Sequence, residues 1–265
     1  MIFSSFIKDY LIKGGLQKGD KVLLHSNLKY LIKSLLNKKI IFDIDNIVDS
    51  ILEFLGPKGT LVVPTFNFDF CEGKLFSFLD TKSKMGILSE TLRNKNKLNR
   101  TWHPVYSFSI HGNIPFNELK KNNYSAYGND SIFHWLHVND GKIAIIDLPD
   151  QKSMTFYHYV EEMMSVDWRF FKNFNGIYED LNRNKNNITA TIFVRKIEEG
   201  IVTDVNNMEK LLWSKNFYKG HNLNSSKGLR TIFANDIFLA TKEVIIRKEA
   251  LGMLYRKEKL LDKKI

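Results

Sequence analysis

Apolar residues along this chain fall into short unbroken runs that alternate with stretches of helical spacing. Residues 21–25 (KVLLH), after the turn signal Gly19-Asp20, and residues 60–64 (TLVVP) are runs of the kind carried by strands covered on both faces. Residues 142–147 (KIAIID) form another, and 105–111 (VYSFSIH) and 187–195 (NITATIFVR) also read as strands. Asp43 is placed to cap a helix carrying Ile47, Ile51 and Leu55, which Gly56-Pro57 ends. Further helices are predicted at 85–93, at 155–164 with its own N-terminal cap, and at 205–215. The first residues, MIFSSFIKDYLIKGG, read as a short amphipathic helix stopped by Gly14 and Gly15, and the NRNKNN cluster at 182–187 as a loop. This alternation predicts an α/β fold, a layered sheet with helices on both faces, forming one domain over residues 1–265.

Composition narrows the class. With 43% hydrophobic and 13% aromatic residues the chain can bury a large core. Its one cysteine, Cys71, builds neither an internal disulfide nor a thiolate zinc site. No apolar run approaches the ~20 residues that span a bilayer, and Lys8 and Asp9 interrupt any signal-peptide core. A soluble cytoplasmic protein that neither enters a membrane nor binds a metal is expected. The net charge of +10 suggests an anionic partner. Zinc-finger spacing, RNA-recognition signatures and a helix-turn-helix are missing, so a nucleotide-bearing small molecule fits better than nucleic acid. Part of the excess lies at 242–264, which reads as a solvated helix face.

Polar residues gather at the carboxyl ends of the predicted strands, where open α/β sheets bind ligands. His25-Ser26-Asn27-Leu28 follows the first strand, and Pro64-Thr65-Phe66, with Asp69 just beyond, follows the second. On the predicted 155–164 helix, behind Thr155, His158 lies one turn from Glu161 and Glu162. A carboxylate on one imidazole nitrogen fixes the tautomer and raises the basicity of the other, which is what a general base requires. Read alone, that spacing is weak evidence, since any amphipathic helix can carry it, and it better suits a structural or surface pair. In Arg100-Thr101-Trp102-His103-Pro104-Val105-Tyr106-Ser107, the His-Pro step forces an extended or turn backbone. Arg100 is there either a structural cation or a ligand for an anion. Glycine loops for nucleotides and a Gly-x-Ser-x-Gly elbow are lacking. His134 and His137 have helical spacing but no adjacent acid or cysteine.

Taken in order, these segments resemble the aminoglycoside 3-N-acetyltransferase family, the antibiotic N-acetyltransferases. The matching features are Gly19-Asp20 before His25-Ser26-Asn27-Leu28, then Gly56-Pro57-Lys58-Gly59-Thr60-Leu61 leading to Pro64-Thr65-Phe66. Phe78-Leu79-Asp80, Ser83-Lys84-Met85-Gly86, Glu90 and Arg93 follow, then the whole Arg100–Ser107 motif. Tyr127-Gly128-Asn129-Asp130-Ser131-Ile132-Phe133 and Thr155-x-x-His158-x-x-Glu161 complete the match, which runs from about residue 15 to residue 165. Asn27 stands where the family usually has Ser. The resemblance implies a fold distinct from the GCN5-type acetyltransferases and acetyl-CoA bound along the strand ends, with no metal. It makes His158 the base and Glu161 its orienting partner. His25, Ser26, Asn27, Leu28, Pro64, Thr65, Arg100, His103 and Ser107 become expected cofactor contacts. Thr65, Phe66, Asp69, Thr155, Glu162 and Arg169 become expected acceptor contacts.

The divergent stretch at 166–235 is where acceptor specificity is expected. It carries Arg169, Lys172, Arg183, Lys185, Arg195 and Lys196. That basic bias favours an anionic acceptor, a nucleotide-linked amino sugar used for surface polysaccharide, over a polycationic antibiotic. An aminoglycoside acceptor and a catalytically inactive CoA-binding protein are the alternatives. A homodimer is left open.

Overall fold

The computed structural model describes residues 2–115, 123–221 and 227–258. Its strands are β1 (Lys21–Ser26), β2 (Thr60–Pro64), β3 (Phe76–Ser77), β4 (Phe108–Gly112), β5 (Lys142–Ile146) and β6 (Arg169–Glu179). They continue as β7 (Lys185–Arg195), β8 (Ile201–Thr203), β9 (Lys219–Gly220), β10 (Leu229–Phe233) and β11 (Tyr255–Lys257). A six-stranded sheet runs in the order β4-β2-β1-β5-β10-β9. At its centre β2, β1 and β5 are parallel, with Val22 opposite both Leu61 and Lys142, while β4 and β10 run antiparallel to their neighbours.

Successive strand residues point to opposite faces, and here both faces are apolar. Leu23, Val62, Ile143 and Ile145 join one core, with helices Ile132–Val138, Phe156–Met163, Asn206–Ser214 and Ala234–Ile246. Val22, Leu24, Leu61, Val63, Ala144 and Ile146 join the other, beneath helices Ile2–Lys13, Lys29–Asn37, Ile44–Leu55 and Ile87–Lys95. The unbroken apolar runs are thus explained, and the layered α/β expectation is met. Asp43 caps its helix as read from the sequence, its Oδ1 accepting the Asn46 N–H at 2.6 Å. Gly56, at φ 70°, stops that helix.

Several local expectations are corrected. β4 starts only at Phe108, because the Val105 and Tyr106 N–H groups donate to His103 Nδ1 at 3.2 and 2.9 Å. The 155–164 helix lacks the predicted cap, since Thr155 makes no side-chain cap bond. Asp150 anchors that helix instead: its carbonyl accepts Met154 N–H, and its carboxylate accepts Tyr157 Oη at 3.0 Å. The 182–187 loop is shorter than expected, because Asp180 Oδ1 accepts the N–H groups of Asn182 and Asn184 and the chain enters β7 at Lys185. The region 242–264 is not one helix: Ala234–Ile246 ends, and β11 then pairs with β8. Residues 259–264 lie outside the described residues.

Strand β6 has no counterpart in the sequence reading. It and β7 form an arm paired from Arg169–Arg195 at its base to Glu179–Lys185 at its tip, with β3 alongside. Only Arg169, Tyr178 and Glu179 of β6 are buried, so backbone pairing more than apolar patterning specifies it. Among the described residues, no helix is long and apolar enough to cross a membrane.

Candidate active site

The helix Phe156–Met163 carries His158, Glu161 and Glu162. Ser165, at φ 48°, then turns the chain back, with Ser165 and Val166 N–H donating to the carbonyls of Glu162 and Glu161. This reversal lays Trp168 and Arg169, at the start of β6, over the side chain of Glu161.

Glu161 is 2% exposed and sits at the centre of the cluster. Its Oε2 lies 2.7 Å from His158 Nδ1, and its Oε1 accepts Trp168 Nε1–H at 2.9 Å. Arg169 Nε also lies 2.7 Å from Oε2, although its N–H is not aimed at the oxygen, so that contact is ionic in character. Burial pushes the carboxyl pKa up, but the Arg169 charge and the bonds from His158 and Trp168 outweigh it and hold Glu161 below the usual carboxylate range. His158, with 19% of its side chain exposed, is driven below the ordinary imidazole range by burial and then by Arg169, against Glu161. A neutral imidazole with Nδ1 engaged by a carboxylate leaves Nε2 as the nitrogen that can take a proton.

Glu162, one helical turn on from His158, lines a cavity of about 640 Å³ with Tyr124, Ser125, Asn129, Asp130 and Phe171, among others; His158 and Glu161 are not in its wall. Tyr127, next to its Gly128 wall, packs edge-on to His158 with ring centroids 5.5 Å apart. Glu162 receives Ser125 Oγ–H at 2.7 Å and is 8% exposed. Burial, supported by Asp130, lifts its pKa to about 7. Neither Lys nor Arg lines this cavity among the described residues.

A second cleft, of about 420 Å³, brings together five of the expected cofactor contacts, namely His25, Ser26, Asn27, Leu28 and Pro64. Met85, Gly86, Leu148 and Lys152 close it, and Lys84 adds a second cation. His25 is 6% exposed, its Nε2 has no hydrogen-bond partner, and burial lowers its pKa to about 4. A cleft with a neutral, unsatisfied ring nitrogen and two lysines suits a ligand with an amide-bearing chain and phosphates.

The other expected contacts lie elsewhere. Arg100 is 0% exposed, and four of its five N–H donors go to Ser107 Oγ, Phe78 O, Thr81 O and Thr65 O. Ser107 and Thr65 are also fully buried and share a 2.9 Å hydroxyl contact. His103 is 1% exposed, accepting two backbone N–H groups at Nδ1 with Nε2 3.3 Å from Thr191 O. These four residues knit strand ends together and offer no open surface to a cofactor. Phe66 is buried against Tyr106 and Phe108. Asp69 is held by Lys74 and Lys84 at a separate cavity, which leaves it away from Glu162. Thr155 is half-buried at the helix start. Arg169, expected to meet the acceptor, is buried on Glu161 and His158 instead. His134 and His137 share one partner, their Nδ1 atoms each 3.0 Å from Tyr159 Oη. Burial lifts the Cys71 thiol to about 11, which keeps it protonated near neutral pH. Sequence reasoning missed Trp168 as a partner of Glu161, and Ser125 and Asp130 as neighbours of Glu162. Only the turn after the helix and the masking of distance by sequence separation explain that: no spacing rule links these positions.

The family model for aminoglycoside 3-N-acetyltransferase matches residues 23–234. This chain belongs to that family. It is an acetyl-CoA-dependent N-acetyltransferase. The aminoglycoside 3-N-acetyltransferase fold is shared with solved structures. YokD from Bacillus subtilis has a TM-score of 0.72 at 16% identity, covering 92% of this chain and 99% of its own. AAC-IIIb in binary complex with CoASH has a TM-score of 0.75 at 15% identity, covering 92% and 96%. Sisomicin-bound AAC-VIa has a TM-score of 0.76 at 17% identity, covering 92% and 98%. No curated protein sequence matches the chain.

Proposed function

We propose that the enzyme acetylates an amino group of a cationic amino sugar of the aminoglycoside type, with His158 as general base. The observation that carries this reading is the carboxylate-lined cavity walled by Glu162, one helical turn from His158 of the His158–Glu161 pair. Acetyl-CoA lies in the cleft of His25, Ser26, Asn27, Leu28 and Pro64, with Lys84 and Lys152 toward its phosphates. His158 Nε2 takes a proton from the acceptor amine as its nitrogen attacks the thioester carbonyl. The tetrahedral oxyanion collapses, the C–S bond breaks, and the proton passes to the thiolate to give CoASH and the N-acetyl product. Glu162 and Asp130 hold a second ammonium group of the acceptor, an interaction that strengthens as Glu162 ionises.

The net charge of +10 favours a second reading, a nucleotide-linked amino sugar, and the same experiment separates the two. Thiol release from acetyl-CoA is measured with kanamycin-type amines and with several amino-sugar nucleotides at two ionic strengths. The aminoglycosides are expected to win in kcat/KM by tenfold or more and to lose affinity as salt rises, because salt screens ammonium–carboxylate attraction. Glu162→Gln should raise their KM and leave acetyl-CoA affinity unchanged. A tenfold preference for nucleotides would overturn the proposal.

A further inference from the structure

His158 Nδ1 faces two groups that ask opposite things of it. Glu161 Oε2, at 2.7 Å, can only accept a hydrogen bond, whereas Arg169 Nη2, at 2.8 Å, can only donate one. One nitrogen cannot satisfy both. If Nδ1 carries the proton and donates to Glu161, Nε2 is bare and can act as a base. If Nδ1 accepts from Arg169, Nε2 carries the proton and cannot. The same guanidinium lies 2.7 Å from Glu161 Oε2 through Nε and donates to Phe193 O at 3.0 Å through Nη1, so it is locked in place.

We propose that Arg169 is a positioning residue for the base: its contact with Glu161 keeps that carboxylate charged and aimed at Nδ1, and its own positive charge beside the ring keeps His158 neutral. In the tautomer with a bare Nε2, Nδ1–H donates to Glu161 Oε2 and Arg169 Nη2 is left to Thr203 Oγ1, 3.5 Å away. The proposal rests on the reading of His158 as the base and reassigns Arg169 from acceptor binding to control of that base. Other charged or titratable groups facing His158 are Glu161 on its own helix, Arg195 at the end of β7, and the ring of Tyr127. Arg195 adds to the Arg169 effect, Glu161 opposes it, and Tyr127 stays neutral, its hydroxyl held far above its ordinary range by burial. Removing Arg169 takes a positive charge from beside the ring, which favours the imidazolium while Glu161 stays ionised.

The test reads the ring itself. In the free enzyme, imidazole ¹⁵N shifts assigned with His158→Gln report both tautomer and titration midpoint, independent of any acceptor. Wild type is expected to show the Nδ1–H tautomer; a dominant Nε2–H tautomer would overturn the proposal even if no Arg169 variant folds. In Arg169→Gln the midpoint should rise by about 1 pH unit or more, the scale on which a charge within ~4–6 Å acts. Arg169→Lys, which keeps the charge, should recover most of that displacement. The rising limb of kcat/KM should move with the midpoint, with acceptor KM unchanged within about twofold. An unmoved midpoint in a folded Arg169→Gln protein, or a large rise in acceptor KM alone, would return Arg169 to acceptor binding. Failure of the base assignment looks different: His158→Ala would keep its turnover while the ring titration still responded to Arg169.

Discussion

Replacing Glu161 by Gln removes one charge from a site where almost nothing else can compensate. Glu161 and Arg169 have side chains 2% and 5% exposed, so solvent screening is slight. Taking away one partner leaves the guanidinium buried and uncompensated, which costs ~3–5 kcal/mol where the partner group vanishes. The Gln amide oxygen can still accept from Trp168, so the low end, about 3 kcal/mol, is expected. At ~2–4 °C per kcal/mol, the melting temperature should fall by roughly 6–12 °C. The catalytic effect has a separate sign. Glu161 raises the His158 pKa, and Arg169 and Arg195 lower it. Without Glu161 the imidazole is a weaker base, so the rising limb of kcat/KM moves to lower pH while the plateau drops by ~10–10². Calorimetry and a pH–rate profile measure the two effects. A rising limb that stays in place, or moves to higher pH, would refute the electrostatic reasoning, whatever happens to stability.

His158→Ala should lower turnover by ~10²–10⁴ and leave acetyl-CoA affinity within a few-fold of wild type, as checked by stopped assays and calorimetric titration. Acid stability follows from His103, whose pKa burial lowers from 6.5 to about 4 while its Nδ1 accepts two backbone N–H groups. The unfolded chain takes up that proton near pH 6.5 and the folded one does not, so this contribution is present above that pH and is lost as pH falls towards 4. Between pH 7.5 and 5 the loss is about 2 kcal/mol at His103. Urea unfolding at the two pH values should show a difference smaller by that amount in His103→Asn; an unchanged difference would mean that His103 titrates normally in the folded state.

The fold was legible where burial on both faces left a simple record. Runs such as KVLL and TLVV admit few alternatives, and Asp43 and Gly56 mark the ends of their helix by local chemistry alone. Strand β6 was not legible, because its middle is exposed and its register comes from pairing with β7 across the Asp180 turn. At the site, the His158–Glu161 spacing is local and could be read. The roles of Arg100 and Ser107 could not: whether an arginine in a motif faces a ligand or closes on carbonyls depends on Phe78 and Thr65, residues brought to it only by folding. A motif held in common can record packing as strictly as it records chemistry, and the sequence does not tell the two apart.

Charge illustrates the same limit on a shorter length scale. The stretch 166–235 is basic, yet most of the cations weighed for the acceptor are already engaged. Arg169 lies on Glu161, Arg183 on Asp80 and Glu179, and Lys196 on Glu199. Lys172 sits over the Phe174 ring, 5.3 Å from its centroid. Exposed charges are screened over ~8 Å at physiological salt, so an acceptor in the cavity responds chiefly to what lines it. Among the described residues, the charged groups there are Glu162 and Asp130. A sum over the chain predicts that an aminoglycoside is repelled and gains affinity as salt is added. The local pair predicts attraction that salt weakens. The sign of that salt dependence therefore shows which length scale governs recognition, and the proposed acceptor site predicts that the short one wins, because Glu162 and Asp130 line the cavity.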